Sequence, residues 1–294
     1  MNRVAILGVG LMGGSLGLAL KARGFRGVVS AHARRPETRE QALKRGAVDE
    51  AHANPEDAVR DADLAVLCVP ILAMAGLAER CRPGLRADAV VTDVGSTKSE
   101  VGARVREALA GCGAAYVGSH PIAGSEQEGL EAARADLYEG AVVVVTDDGA
   151  SRAAVGRVVD FWAGLGAAVR VMSAAEHDRV MARTSHLPHV AAALVAYTAG
   201  RDGGLDRLGE FCGAGFRDTT RIAAGSPGVW HDILRTNQEA VGEELAALAR
   251  ATDALLRRVK AGDFDGVREF LDESRRRRMA LARSANADRR PGEA

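Results

Sequence analysis

The sequence has little cysteine: Cys68, Cys81, Cys112 and Cys212 stand far apart among 294 residues and form no C-x-x-C pair. Neither a zinc site nor a disulfide framework is signalled, so no metal is expected and a reducing cytoplasm suits the chain. It also lacks any apolar run near the about 20 residues that span a bilayer, and Met1 leads into a strand-like run, not a basic leader. A cytoplasmic protein with no membrane association is therefore expected. Surplus charge is missing as well, with Lys+Arg 39 against Asp+Glu 39. That balance lacks the basic excess of a nucleic-acid binder and makes a small molecule the expected partner. No internal repeat is present. The one strong charge run, the arginines at 275–278, reads as a solvated last turn of a helix.

What the sequence does have is apolar content, 47% of residues, which excludes general disorder. Its length suffices for one large or two ordinary domains. The first half alternates β-rich runs (3–8, 28–31, 64–69, 89–93, 115–118, 141–146, 168–172) with helical stretches (13–23, 37–45, 98–110, 151–165), the pattern of a parallel sheet covered on both faces. After Met172 the strand signals stop. Apolar residues at helical spacing run through 176–198 and 231–260, with breaks at 200–204 and 223–228 and a last helix at 264–281. The expected fold is α/β: a Rossmann-like doubly wound sheet over 1–172, an all-α domain over 173–285, and a flexible polar tail over 286–294.

Gly8-Val9-Gly10-Leu11-Met12-Gly13 is G-x-G-x-x-G directly between a strand and a helix, the context that makes the motif informative. Gly8 permits the tight turn, Gly10 lets the backbone approach a pyrophosphate, and Gly13 allows close helix–strand packing, with the anion resting on the helix N-terminus; Leu11 and Met12 complete the expected cofactor-binding loop. An acid that holds the ribose hydroxyls of NAD is expected about 20 residues further on. Ala33 stands there, followed by Arg34 and Arg35, whose guanidinium groups suit a 2′-phosphate. NADP is expected over NAD, with NAD possible.

His120 precedes Pro121 in VGSHPIAGSE (117–126), a stretch that reads as a rigid turn after a strand. Such an imidazole is either packed with satisfied nitrogens or held out as a base. Ser96 follows another strand end and equally reads as the N-cap of a helix beginning near Lys98. His186 and His189 sit i, i+3 around Pro188 in what reads as a helix's first turn.

Together with the glycine loop, four stretches carry a resemblance: DVGSTKSEV (93–101), GSHPIAGSE (118–126), SHLPH (185–189) and FRDTTRIAAGSPGVW (216–230). In this order, over nearly the whole chain, they make it resemble the prephenate/arogenate dehydrogenases of tyrosine biosynthesis. The resemblance implies a Rossmann domain joined to a helical domain that forms a homodimer, and oxidative decarboxylation of a cyclohexadienol. It implies His120 as the base, Ser96 near the hydroxyl and the histidine, Arg221 as the ring-carboxylate binder, and His189 and Trp230 against the substrate. Trp230 equally reads as a packing anchor, and His186 as an interdomain hydrogen-bonding residue. A nearby acid, with Glu126 and Asp218 as candidates, would favour the ammonium of arogenate over the keto group of prephenate. Two other readings stand beside this one: another two-domain dehydrogenase, such as a 3-hydroxyacid dehydrogenase, or a cofactor-binding regulator without turnover. The joint presence of His120 and Arg221 in family-like motifs argues against both.

Overall fold

The structure is a computed structural model and describes residues 1–124 and 127–287; Glu126, and the expected tail beyond Ala287, lie outside the described residues. Strands β1 (Arg3–Leu7), β2 (Val28–His32), β3 (Glu50–His52), β4 (Leu64–Leu67), β5 (Val90–Asp93) and β6 (Ala115–Tyr116) form a parallel sheet in the order β3-β2-β1-β4-β5-β6. The register sets Leu7 beside His32 and Leu67, and Leu67 beside Asp93. The carboxyl ends thus line up where the strand order reverses, between β1 and β4, which is where open α/β sheets bind ligands.

Helices α1 (Leu11–Ala22), α2 (Pro36–Lys44), α3 (Pro55–Ala58), α4 (Met74–Cys81) and α5 (Ser99–Ala108) connect these strands. Alternate residues of β1 and β4 divide between two cores. Val4, Ile6, Leu64 and Val66 pack with Leu16 and Trp162, whereas Ala5, Leu7, Ala65 and Leu67 pack with Met74 and Val105. Both faces are covered, so the strands read as continuous apolar runs.

The sequence reading placed the later strands in one sheet and His120 on a turn; the structure differs on both points. A second sheet has the order β7-β8-β9, with β7 (Ser119–Ile122) antiparallel to β8 (Val142–Thr146), and β8 parallel to β9 (Ala168–Met172). His120 is a strand residue opposite Val144. The glycines, serine and proline around it mask that strand. Pro121 is tolerated because β7 is an edge, where a missing ladder donor is least damaging. Helix α6 (Arg152–Gly164) links β8 to β9, and its Trp162 is fully buried between Tyr138 and Phe161.

Helices α7 (Ala174–Met181), α8 (Leu187–Ala199), α9 (Leu205–Gly209), α10 (Ala214–Thr220), α11 (Pro227–Thr236), α12 (Gln238–Ala261) and α13 (Phe264–Ala287) follow. A π turn, Ala182–His186, joins α7 to α8. Pro188 therefore lies in the first turn of α8, as expected, but directly after the π turn and not after a loop. It has no N–H for the Thr184 carbonyl, and the wider turn absorbs the break that this would cause. Met1–Val241 form one compact unit and the chain from Gly242 a second. The arginines at 275–278 fall inside α13, not in its last turn, and Arg276 and Arg277 pair with Glu273. Among the described residues no helix is long and apolar enough to cross a membrane.

Candidate active site

The turn after β1 is fixed by packing at two glycines and open at the third. Gly8 has φ +109°, and a Cβ on it would lie 2.4 Å from the Cys68 carbonyl oxygen; one on Gly13 would lie 2.0 Å from the Gly8 carbonyl oxygen. Only glycine fits either position. Gly10 is the N-cap of α1, no side chain caps that helix, and a Cβ there would meet nothing within 4 Å. Open space against a helix N-terminus fits the pyrophosphate of a dinucleotide. Leu11 and Met12 pack partly buried against the core, and the Met12 carbonyl accepts a hydrogen bond from the Tyr138 hydroxyl at 2.7 Å.

Beside this turn, the Gly8 N–H donates to the His32 carbonyl at the end of β2. Ala33 is buried, while Arg34 and Arg35 are exposed. The Arg39 guanidinium donates to the carbonyls of Ala33 and Arg34 at 2.8 and 2.9 Å and fixes the backbone between them. The stretch from Ser30 to Pro36 contains no carboxylate, and Glu37 falls in the first turn of α2.

A chain of polar groups begins at His120. Its Nδ1 lies 2.9 Å from His177 Nε2, and His177 Nδ1 lies 2.8 Å from Asp178 Oδ1. Asp178 accepts the backbone N–H groups of Lys98 and Ser99, each at 2.8 Å. This carboxylate from α7 therefore caps the start of α5, a role for which Ser96 was a candidate in sequence. Ser96 stands in the β5–α5 loop with no side-chain hydrogen bond among the described residues. Burial, then the neighbouring His177 and the Lys98 cation, hold the half-buried His120 imidazole well below its ordinary pKa. Burial lowers His177 too, against the pull of Asp178. Asp178 would be raised by burial, but hydrogen bonds from His177 and the α5 backbone bring it below the usual carboxylate range.

Beneath this chain lies a fully buried ion pair, Lys98 with Asp93. Asp93 also accepts from the Tyr116 hydroxyl at 2.9 Å, the Ser119 N–H at 3.0 Å and the Gly95 N–H at 2.9 Å. A buried charge is tolerated only when paired and hydrogen-bonded in this way. The arrangement ties the end of β5 to the start of β7, and so sets the backbone beside His120.

The remaining predicted residues gather on the helical side. His189 stacks on Trp230 with ring centroids 3.4 Å apart and planes 11° apart, and His186 meets the same indole edge-on at 6.1 Å. Asn237 joins this group to the first: its side-chain amide donates to the Asp178 carbonyl at 2.8 Å and lies 3.2 Å from His186 Nδ1. Burial pushes His186 down to about 4 and lowers His189. Arg221 is exposed on the 3-10 turn Arg221–Ala224, which packs against α8. That turn ends at Gly225, where a Cβ would come within 2.8 Å of Trp230 Nε1 and 3.3 Å of His189 Cε1. Asp218 is exposed on α10. Among the described residues no three His, Cys, Asp or Glu side chains converge as a metal ion would require.

His177, Asp178 and Asn237 were not singled out from sequence, yet a signal existed. The buried positions of α7 are Ala174, His177, Asp178 and Met181, an i, i+3, i+4, i+7 stripe. Such a stripe faces the core, and a His-Asp pair within it needs partners there.

An open glycine cradle at the switch point of a Rossmann-like sheet is the arrangement of a dinucleotide-binding domain, the class shared by the pyridine-nucleotide-dependent dehydrogenases. Relatives narrow the class. Residues 16–171 match the family model of the prephenate dehydrogenase nucleotide-binding domain, and 173–273 that of its dimerization domain. The chain is 34% identical to the cyclohexadienyl dehydrogenase of Zymomonas mobilis, covering 95% of this chain and 96% of that protein. Prephenate dehydrogenase from A. aeolicus, solved with hydroxyphenyl propionate and NAD+, is similar with a TM-score of 0.88 and 31% identity, over 96% of this chain and 98% of that one. The arogenate dehydrogenase of Synechocystis gives 0.82 and 26%, over 95% and 99%. The chain belongs to the prephenate dehydrogenase family.

Proposed function

We propose that the protein oxidatively decarboxylates prephenate, arogenate or both, using NADP in preference to NAD, as a homodimer. The observation that carries this reading is His120: an imidazole held well below its ordinary pKa on edge strand β7, which Asp93 ties to the end of β5, in a chain that matches the family over 16–171 and 173–273. A base in this chemistry must take the proton of the C4 hydroxyl, and a group that is unprotonated near neutrality suits it. His120 accepts that proton, and Ser96, whose hydroxyl has no side-chain partner among the described residues, donates to or accepts from the same oxygen. A nicotinamide held at the glycine loop would supply the acceptor for the hydride that leaves C4. The bond from the ring to its carboxylate then breaks, carbon dioxide leaves, and the electron pair left behind makes the ring aromatic. Arg221 binds that carboxylate in a fork. His189 and Trp230 hold the side chain, their stacked rings forming one flat wall.

Gly8, Gly10, Leu11, Met12 and Gly13 would hold the dinucleotide. The preference for NADP rests on the absence of an acid near Ala33 and on the exposed Arg34 and Arg35. We assign 1–172 to the cofactor and 173–285 to substrate and subunit contact. The homodimer is supported by the dimerization-domain match and by exposed apolar side chains, among them Tyr197 on α8 and Phe211 in the turn before α10, 80% and 77% exposed. The test is the initial rate at the reduced-nicotinamide absorbance band with prephenate and with arogenate, each with NADP and NAD. A faster rate with NADP is expected; a faster rate with NAD keeps the reaction and removes the role of Arg34 and Arg35.

A further inference from the structure

We propose that His177 and Asp178 are positioning residues that set the tautomer of His120, placing its proton on Nδ1 and its lone pair on Nε2. The inference rests on the reading of His120 as the base and names which nitrogen acts. It follows from counting donors along the chain. Asp178 takes the Lys98 N–H on Oδ1 and the Ser99 N–H on Oδ2, so both oxygens are already occupied as acceptors. A carboxylate held by two backbone donors stays ionised and has no proton to give. The 2.8 Å contact with His177 Nδ1 therefore requires the proton on that nitrogen.

A neutral imidazole carries one N–H. His177 is fully buried and lies near the Lys98 cation, both of which oppose a second proton, so its Nε2 holds a lone pair. That nitrogen is 2.9 Å from His120 Nδ1, and a hydrogen bond between them requires His120 to donate. The bond made by one ring nitrogen decides the state of the other, which leaves Nε2 of His120 as the proton acceptor. When it takes a proton, the new positive charge is held by a hydrogen bond into a chain that ends in a carboxylate. The arrangement extends the logic of a base oriented by a buried acid, with a second imidazole inserted between them. Asn237 completes it: by donating to the Asp178 backbone carbonyl and approaching His186, it fixes the helix that carries both positioning residues.

The first test needs no substrate, so it stands apart from the identity of the reaction. Long-range ¹H–¹⁵N spectra of the intact protein labelled in histidine, with His120 assigned by its loss in His120→Asn, report which nitrogen is protonated. The expected pattern is Nδ1–H with bare Nε2 on both His120 and His177. A proton on His120 Nε2, or a doubly protonated His177, overturns the proposal. The second test uses variants. In Asp178→Asn the amide can donate to His177 Nδ1, reverse both tautomers and put the proton on His120 Nε2. Turnover should then fall by roughly 10² to 10⁴, with dinucleotide affinity unchanged. His177→Leu should lose about 10²-fold in kcat, while His177→Gln, which keeps an acceptor near Nε2, should recover at least about tenfold of it. Equal losses in the leucine and glutamine variants would mean that bulk alone is needed at 177, and would overturn the proposal.

Discussion

The glycine loop and the histidine cluster serve the same edge of the sheet but are built in opposite ways. The loop is six consecutive residues, and its geometry follows from local packing of Gly8 against Cys68 and of Gly13 against Gly8. The cluster draws His120 from an edge strand, His177 and Asp178 from α7, His186 from a π turn and Asn237 from the start of the α11–α12 junction. A binding site for a common cofactor can be local, because a helix N-terminus and three glycines suffice for a phosphate. A tuned base cannot, because its environment must come from several elements at once.

Removing the base should separate the two regions most sharply. His120→Asn is expected to reduce turnover by roughly 10² to 10⁴ while leaving dinucleotide affinity, followed by fluorescence titration, at its original value. A parallel loss of affinity would show that loop and cluster are not independent.

Acid should distinguish them next, since the cluster depends on neutral buried imidazoles and the loop does not. Burial holds His186 at about 4 in the native state, below its ordinary 6.5, so the unfolded chain binds more protons between these values. The stability this group supplies is complete above about pH 6.5 and is lost as pH falls toward about 4, in total roughly 3 kcal/mol. Urea midpoints at pH 7 and pH 4.5 should show the fall, and His186→Gln should make it shallower. An equally steep fall in the variant would move the effect to other groups.

Within the loop, two glycines should answer differently. Gly10→Ala is expected to leave the thermal midpoint within about 2 °C and to weaken dinucleotide binding about tenfold, because its Cβ meets only the space meant for the pyrophosphate. Gly13→Ala is expected to lower the midpoint by several degrees, at an overpacking penalty of about 1–3 kcal/mol. An effect of the same size, but confined to one cofactor, belongs to the β2 end. Replacing Arg34 and Arg35 together by alanine should raise the KM for NADP about tenfold and leave that for NAD nearly unchanged.

How much was legible in the sequence follows the same division. The loop, β1 and the first helix could be read directly, since a short continuous apolar run, three glycines and a helical stretch are all local signals. The parallel sheet and the run of helices after Met172 were legible for the same reason. Strand β7 was not, because Ser119, Pro121 and the flanking glycines argue locally for a turn and only pairing with β8 overrides them. The three-residue strand β3, Glu50–His52, has no β-branched residue to announce it. The candidate residues His120, Ser96, Arg221, His189 and Trp230 came from motif resemblance. Of their supports, His177 lies 57 residues from His120 and Asn237 lies 59 from Asp178, and neither these two nor Asp178 belonged to such a motif.

The most direct test of the central claim is the stoichiometry of turnover. Reduced nicotinamide, carbon dioxide and aromatic product are measured together from prephenate, and from arogenate, with purified protein and NADP. The account predicts the three in equal amounts from at least one substrate, with 4-hydroxyphenylpyruvate or tyrosine as the product. Cofactor reduction without carbon dioxide, or no turnover of either substrate by protein that binds the dinucleotide, would contradict it.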